Sequence, residues 1–343
     1  MDRDIYSCST GPKGLKHNRY GKKKHRGIKA FFLTLGLLIV ITLVAGFILL
    51  FTMLNQIERK PFEDFNTQEA IDAAGAVDPG DSLGLTLGSG DIRSEDGITN
   101  ILLIGSDSRN AETGRSDTML LLSIDEQHHK LKMTSFLRDL YVIIPGQQNN
   151  RLNAAYAYGG AGLLARTIEE NFRIHIDHYV EVDFASFTSL IDTVGGVDIE
   201  LTQAEADELN SQANAQLFSA GVQHLDGEWA LNYARIRKID SDFGRTQRQR
   251  NVISALIAQF QSAGIVETFQ TVQAVLPMLC TDMDNWELIR LMVSLPSIKN
   301  YPVSQMAVPI TGGYQDMTIR EMMVLVPDIE ANKQAIWDFI YED

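Results

Sequence analysis

Residues 31–54 contain no charged side chain, and this run constrains the fold more than any other feature of the chain. Only Thr34, Gly36, Thr42, Gly46 and Thr52 dilute its apolar character. About 20 apolar residues cross the hydrocarbon core of a bilayer, so the run predicts one transmembrane helix. A cleavable signal peptide has a shorter apolar stretch of ~7–15 residues and ends in a small-residue cleavage site, and this segment has neither property. Lys13, Lys16, Arg19, Lys22, Lys23, Lys24, Arg26 and Lys29 precede it. A positive flank stays on the cytoplasmic side. Residues 1–30 are therefore expected to be a cytoplasmic basic tail, and everything after Leu54 is expected outside a single-pass membrane anchor.

The charge balance narrows the ligands available to the exported part. The whole chain carries −14 and residues 1–30 carry +7, so residues 55–343 carry −21. An exterior this acidic argues against nucleic acid and anionic lipid surfaces as general partners. The two cysteines, Cys8 and Cys280, fall on opposite sides of the expected membrane and cannot pair. A domain of this length must then be held by its core, which it is long enough to form. Residues 55–97 are acidic and rich in Gly, Asp and Ser, which predicts an extracytoplasmic stalk or linker. From residue 98 to 343, strand-like runs at 100–107, 118–124, 131–136 and 178–182 alternate with helical stretches at 163–171, 184–193, 246–259, 266–279, 285–295 and 318–341. That alternation predicts an α/β domain with a layered sheet.

Against the acidic background, Arg235, Arg237, Arg245, Arg248 and Arg250 fall within residues 233–250. The guanidinium offers a planar fork of donors suited to phosphate or carboxylate, so the cluster is either a binding surface or a solvated helix face paired with Asp240 and Asp242. Asp107 and Asp117 sit at loop ends in GSDSR and GRSD. Carboxylates at neighbouring loop ends can hold a hard cation such as Mg²⁺, which also takes phosphate oxygens, although turn and cap roles are common for such aspartates. Arg115 precedes Asp117, and Arg138 follows the next strand-like stretch. Several arginines with two or three aspartates at the ends of elements fit pyrophosphate with Mg²⁺. Gln249 lies four residues after Arg245, which puts both on one helix face, and the helix start near Gly244 offers free backbone N–H groups to an anion. The His175/Asp177/His178 group is a weaker metal candidate. Ser106 and Ser108 have no His partner, which argues against a serine hydrolase.

The motifs ILLIGSDSR, GRSDTMLLLSID, SFLRDLYVIIPG, RLNAAYAYGG, DHYVEVDFASF, DTVGGVDI and LDGEWALNYARIRKIDSDFGRTQRQR, in this order over residues 99–260, resemble the LytR–CpsA–Psr family. The resemblance implies a central sheet flanked by helices in αβα layers, with an apolar pocket for a polyprenyl chain. It implies a Mg-dependent phosphotransferase, with Mn²⁺ as an alternative metal. Such an enzyme moves a glycopolymer, such as wall teichoic acid or capsular polysaccharide, from an undecaprenyl-pyrophosphate carrier to a muramic-acid hydroxyl of peptidoglycan outside the cytoplasmic membrane.

Carried over residue by residue, the resemblance makes Asp107 and Asp117 the metal ligands. Arg115, Arg138, Arg235, Arg237 and Arg245 become the pyrophosphate ligands, and Gln249 contacts the head group. Asp242 matches a catalytic aspartate whose role stays open between base, metal contact and arginine orientation. The family pattern Pro-Arg-Asp reads Leu137-Arg138-Asp139 here, and loss of the proline is expected to loosen that loop. A pyrophosphatase and a non-catalytic sensor of lipid-linked glycan are the rival readings.

Overall fold

A computed structural model describes residues 51–52, 54–55, 57–61, 84–107 and 116–342. Nearly all of the expected membrane run lies outside these residues, as does Arg115. Among the described residues, no helix is long and apolar enough to cross a membrane.

The strands are β1 (Glu58–Arg59), β2 (Ile98–Ser106), β3 (Ser116–Asp125), β4 (Lys130–Phe136), β5 (Tyr141–Val142), β6 (Asn150–Arg151), β7 (His178–Asp183), β8 (Val197–Leu201), β9 (Gly221–Leu225), β10 (Cys280–Thr281), β11 (Val303–Val308), β12 (Tyr314–Ile319) and β13 (Met322–Pro327). The helices are α1 (Leu152–Phe172), α2 (Phe184–Thr193), α3 (Gln203–Ala213), α4 (Gly227–Ala234), α5 (Asp242–Ser262), α6 (Ile265–Val275), α7 (Asn285–Ile298) and α8 (Ile329–Trp337). Seven strands form one sheet in the order β1-β10-β7-β2-β3-β4-β11. It is mixed: β2 runs parallel to β7 and antiparallel to β3, while β4 runs antiparallel to β3 and parallel to β11.

Alternation along the central strands splits their side chains between two apolar layers. Leu102, Ile104, Met119, Leu121 and Tyr179 join α1 and Ile336 of α8 in one core cluster. Leu103, Leu120, Val180 and Val182 face the other way, toward α2, α4 and α5. A second core cluster lies there, built on Ile191, Leu209, Tyr233 and Val252. Helix starts in this layer follow local chemistry. Asp183 caps α2 through the Ser186 amide, Thr202 and Glu205 form a capping box on α3, and Asp226 caps α4 through the Trp229 amide.

Three sequence expectations change. Residues 57–61 and 84–97, read as part of a stalk, are tied to the domain. The Lys60 amide donates to the Thr281 carbonyl at 3.1 Å, and the Arg93 amide donates to the Arg173 carbonyl at 2.9 Å. The helix expected at 163–171 begins at Leu152 and bends at Gly159 and Gly160, where the backbone leaves helical angles. The helix expected over 318–341 is instead the β12–β13 hairpin followed by α8. Arg320 and Glu321, both at positive φ, make its tight turn, and the Met-Met-Val-Leu-Val-Pro run suits a strand.

One glycine fixes how α4 meets α2. A Cβ on Gly227 would fall inside van der Waals distance of the Thr188 backbone. Gly227→Ala should therefore destabilise the domain by about 1–3 kcal/mol, the usual range for overpacking. Chemical denaturation of the two proteins measures this directly, and an unchanged midpoint would mean that the helices can separate freely.

Candidate phosphate site at the mouth of an apolar cavity

The site forms where β2 and β3 end. Their register slips at Gly105/Ser106, with Gly105 opposite Thr118 and Ser106 opposite Ser116, so Asp117 is the extra residue of a bulge. A bulge re-aims the side chain it carries. Asp107, exposed, follows Ser106 at the end of β2, so the two predicted metal aspartates lie at neighbouring strand ends.

Arg138 arrives from the loop after β4. The Leu137 amide donates to the Val308 carbonyl at 2.8 Å and continues the β4–β11 ladder. Proline has no N–H to make that bond, so leucine anchors the loop that it was expected to loosen. α5 supplies Asp242 and Arg245 from its first turn. The helix starts two residues before the expected Gly244, with Asp242 near its positive end.

Arg138 bridges the site. Its Nη1 lies 3.0 Å from Asp117 Oδ1, and its Nε lies 3.1 Å from Asp242 Oδ2. Arg237 Nη2 reaches Asp117 Oδ2 at 2.9 Å, and Arg245 Nη1 lies 3.3 Å from Asp242 Oδ1. Gln249 Nε2 donates to the Asp117 carbonyl at 3.4 Å. Arg235 stacks its guanidinium over the Phe184 ring at 4.7 Å.

The charges respond to this crowding. Burial lowers the Arg245 guanidinium, Asp242 counters it and Arg138 adds to it. Arg138 is raised because Asp242, Asp139 and Asp117 outweigh the effect of burial. The Asp139 and Asp242 carboxyls hydrogen-bond to each other. Burial and this contact raise Asp139. Asp242 falls despite burial, through that hydrogen bond and the Arg245 and Arg138 charges.

Arg245 is 2 % exposed; its Nε has no hydrogen-bond partner, and its Nη1 has only the Asp242 ion pair, without hydrogen-bond geometry. A buried guanidinium donor without an acceptor is costly. Asp117, Arg235, Arg237, Arg245 and Gln249 also line a cavity of about 270 Å³ whose remaining wall is apolar, from Leu103, Leu120, Val180 and Val182 on the sheet to Leu190, Val252 and Leu256 on the helices. The structure thus joins Asp117, Arg138, Arg235, Arg237, Asp242, Arg245 and Gln249.

Two of the five clustered arginines do other work. Arg248 pairs with Asp240 at 2.7 Å and with Glu205, and Arg250 is held by Gln247 and Gln305. Burial pulls Arg250 down to about 10. Asp139 and Phe184 went unassigned by sequence. Adjacency to Arg138 was the available signal for Asp139, and nothing local marks Phe184 as the partner of Arg235.

Arginines thus gather at an apolar cavity on a mixed α/β sheet. The chain belongs to the LytR_cpsA_psr family, whose model matches residues 57–336. It is 37% identical over 215 residues to the polyisoprenyl-teichoic acid–peptidoglycan teichoic acid transferase TagU of Oceanobacillus iheyensis, covering 60% of this chain and 65% of that protein. The TagU of Bacillus mycoides is 35% identical over 173 residues, covering 50% of this chain and 55% of the relative. The chain thus spans a little over half to about two thirds of these relatives. The solved structure of TagT bound to LIIa-WTA superposes with a TM-score of 0.60 at 26% identity, covering 75% of this chain and 99% of that one.

Proposed function

We propose that this protein transfers a glycopolymer from a polyprenyl-pyrophosphate carrier, undecaprenyl in the cell, to a muramic-acid hydroxyl of peptidoglycan. It does so outside the cytoplasmic membrane, held there by residues 31–54 as a single-pass anchor. One observation carries the reading. Arg138 ties Asp117, at the mouth of an apolar cavity, to Asp242 beyond it, with Arg237 and Arg245 alongside. A prenyl chain fits the cavity wall, and its pyrophosphate fits the donors, among them the unpartnered Nε of Arg245. The TagU relatives carry the same combination in their names, polyisoprenyl donor and peptidoglycan acceptor.

The step is a phosphoryl transfer. The acceptor hydroxyl oxygen forms a new bond to the phosphorus that bears the sugar. The bond from that phosphorus to the bridging oxygen breaks, and its electron pair leaves with the polyprenyl phosphate. The hydroxyl proton passes to Asp242, whose carboxyl the Arg245 and Arg138 charges favour in its ionised form. Arg138, Arg237 and Arg245 stabilise charge on the transferring and leaving groups.

Mg²⁺ fits the donor set. Asp107 and Asp117 are hard oxygen ligands at adjacent strand ends, and among the described residues no group of three acidic, His or Cys side chains could hold a metal alone. Phosphate oxygens and water would complete its shell, and the ion would neutralise pyrophosphate charge.

The test is mass spectrometry of products from the full chain in detergent with polyprenyl-pyrophosphate-linked sugar, Mg²⁺ and a peptidoglycan oligomer. A phosphodiester adduct that disappears in Asp117→Ala is the expected result. Free sugar phosphate with no adduct would instead establish a pyrophosphatase.

A further inference from the structure

A second cleft, of about 430 Å³, opens on the other side of the Arg138 bridge. It shares no lining residue with the apolar cavity. Arg138 connects the two, paired to Asp117 in the cavity wall and to Asp242 in the cleft wall. The cleft combines an aromatic pair with carboxyls. The Phe243 and Tyr314 rings stand 5.7 Å apart and tilted by 35°, and Asp139, Asp242 and Asp316 line the walls beside them. Tyr314 and Asp316 come from β12, the hairpin strand that sequence periodicity missed.

Among the described residues, neither Lys nor Arg lines this cleft. Arg138, Arg151 and Arg245 pair with Asp139 and Asp242 from outside the lining, so a second phosphate or a polyanionic chain in the cleft would meet carboxyl groups first. A neutral polyhydroxy ligand is suited to it, because its hydroxyls donate to carboxylates and an apolar sugar face lies on an aromatic ring. Position gives the same answer. Attacking and leaving oxygens are roughly in line in phosphoryl transfer. With the polyprenyl phosphate leaving into the apolar cavity, the nucleophile comes from the side of phosphorus away from it, and the cleft is the neighbouring space that Arg138 links to the cavity wall without sharing its lining.

We propose that the cleft between Phe243, Tyr314 and Asp316 binds the acceptor through the neutral N-acetylhexosamine part of its glycan, with one sugar ring stacked on Tyr314. The identity of that glycan as peptidoglycan rests on the transferase reading above, while the cleft's preference for neutral glycan over polyanion does not.

The experiment measures two affinities in the full chain, neither of which requires turnover. One is for a fluorescent N-acetylglucosamine oligosaccharide, a neutral probe, the other for a polyprenyl pyrophosphate without sugar. Tyr314→Ala should weaken oligosaccharide binding about tenfold, about 1.4 kcal/mol, and Asp316→Lys should weaken it at least as much. Carrier affinity should stay within about twofold in both, which also reports an intact site. Unchanged oligosaccharide binding in both variants would overturn the proposal, as would an equal loss of carrier binding. A loss confined to sugar-bearing carrier would assign the cleft to the donor and also overturn it. If the wild type binds oligosaccharide through Tyr314 yet forms no adduct, the cleft stands and the transferase reading fails.

Discussion

Replacing Arg138 by alanine should lower transfer by about three orders of magnitude while leaving the domain folded. Removal of a single preorganised donor to a developing oxyanion costs about 10²–10³ in rate, and Arg138 does more than donate. It is the only cation within 4 Å of both Asp117 and Asp242 among the described ion pairs, and it also faces Asp139 at 3.4 Å. Without it, Asp117, Asp139 and Asp242 lose the cation they share at the proposed pyrophosphate site, so carrier affinity should fall together with rate. Arg138→Lys should recover little. Nε and Nη1 point to different aspartates, and one ammonium cannot reproduce that fork. Single-turnover transfer and carrier binding in both variants, with circular dichroism as the fold control, measure the effect. Wild-type transfer by a folded Arg138→Ala would remove phosphate stabilisation from the role of this cluster.

The parts of this site legible in the sequence are those fixed by residue type and local spacing. Asp117 could be placed at a strand end because the strand is a clear apolar run, and Gln249 beside Arg245 because helical spacing fixes faces. The division of the arginine cluster could not be read. Arg245 and Arg248 are three apart on one helix, yet one opens on the cavity and the other is sealed against Asp240 and Glu205, a difference set by what packs on each side. The Leu137 amide bond to Val308 depends on a parallel pairing between strands 172 residues apart in register, beyond any local signal. The β12–β13 hairpin was missed because a Met- and Val-rich run fits helical and extended periods equally. The two-residue turn at Arg320 and Glu321 lacks the glycine or asparagine that announces most such turns. The acceptor cleft followed it out of view.

Filling the apolar cavity should separate lipid recognition from head-group recognition. Val180 lies on β7 opposite Leu103, on the cavity wall and away from the Asp117 rim. Val180→Trp would occupy space that a prenyl chain needs. Displacing one isoprene unit of about five carbons, at about 0.8 kcal/mol per buried carbon, forfeits about 4 kcal/mol, roughly a thousandfold in affinity. A five-carbon prenyl pyrophosphate carries almost all its binding in the head group and should lose little. The comparison is therefore calorimetric titration of long-chain and five-carbon pyrophosphates against both proteins. Equal losses for the two ligands would mean that the indole disturbs the arginine cluster itself, and no loss for the long chain would exclude the cavity as its seat. Thermal unfolding supplies an independent reading. Filling an apolar void commonly adds about 0.5–2 kcal/mol of stability, so a variant that melts higher while losing the long-chain ligand would show that the void is maintained for binding at the expense of packing.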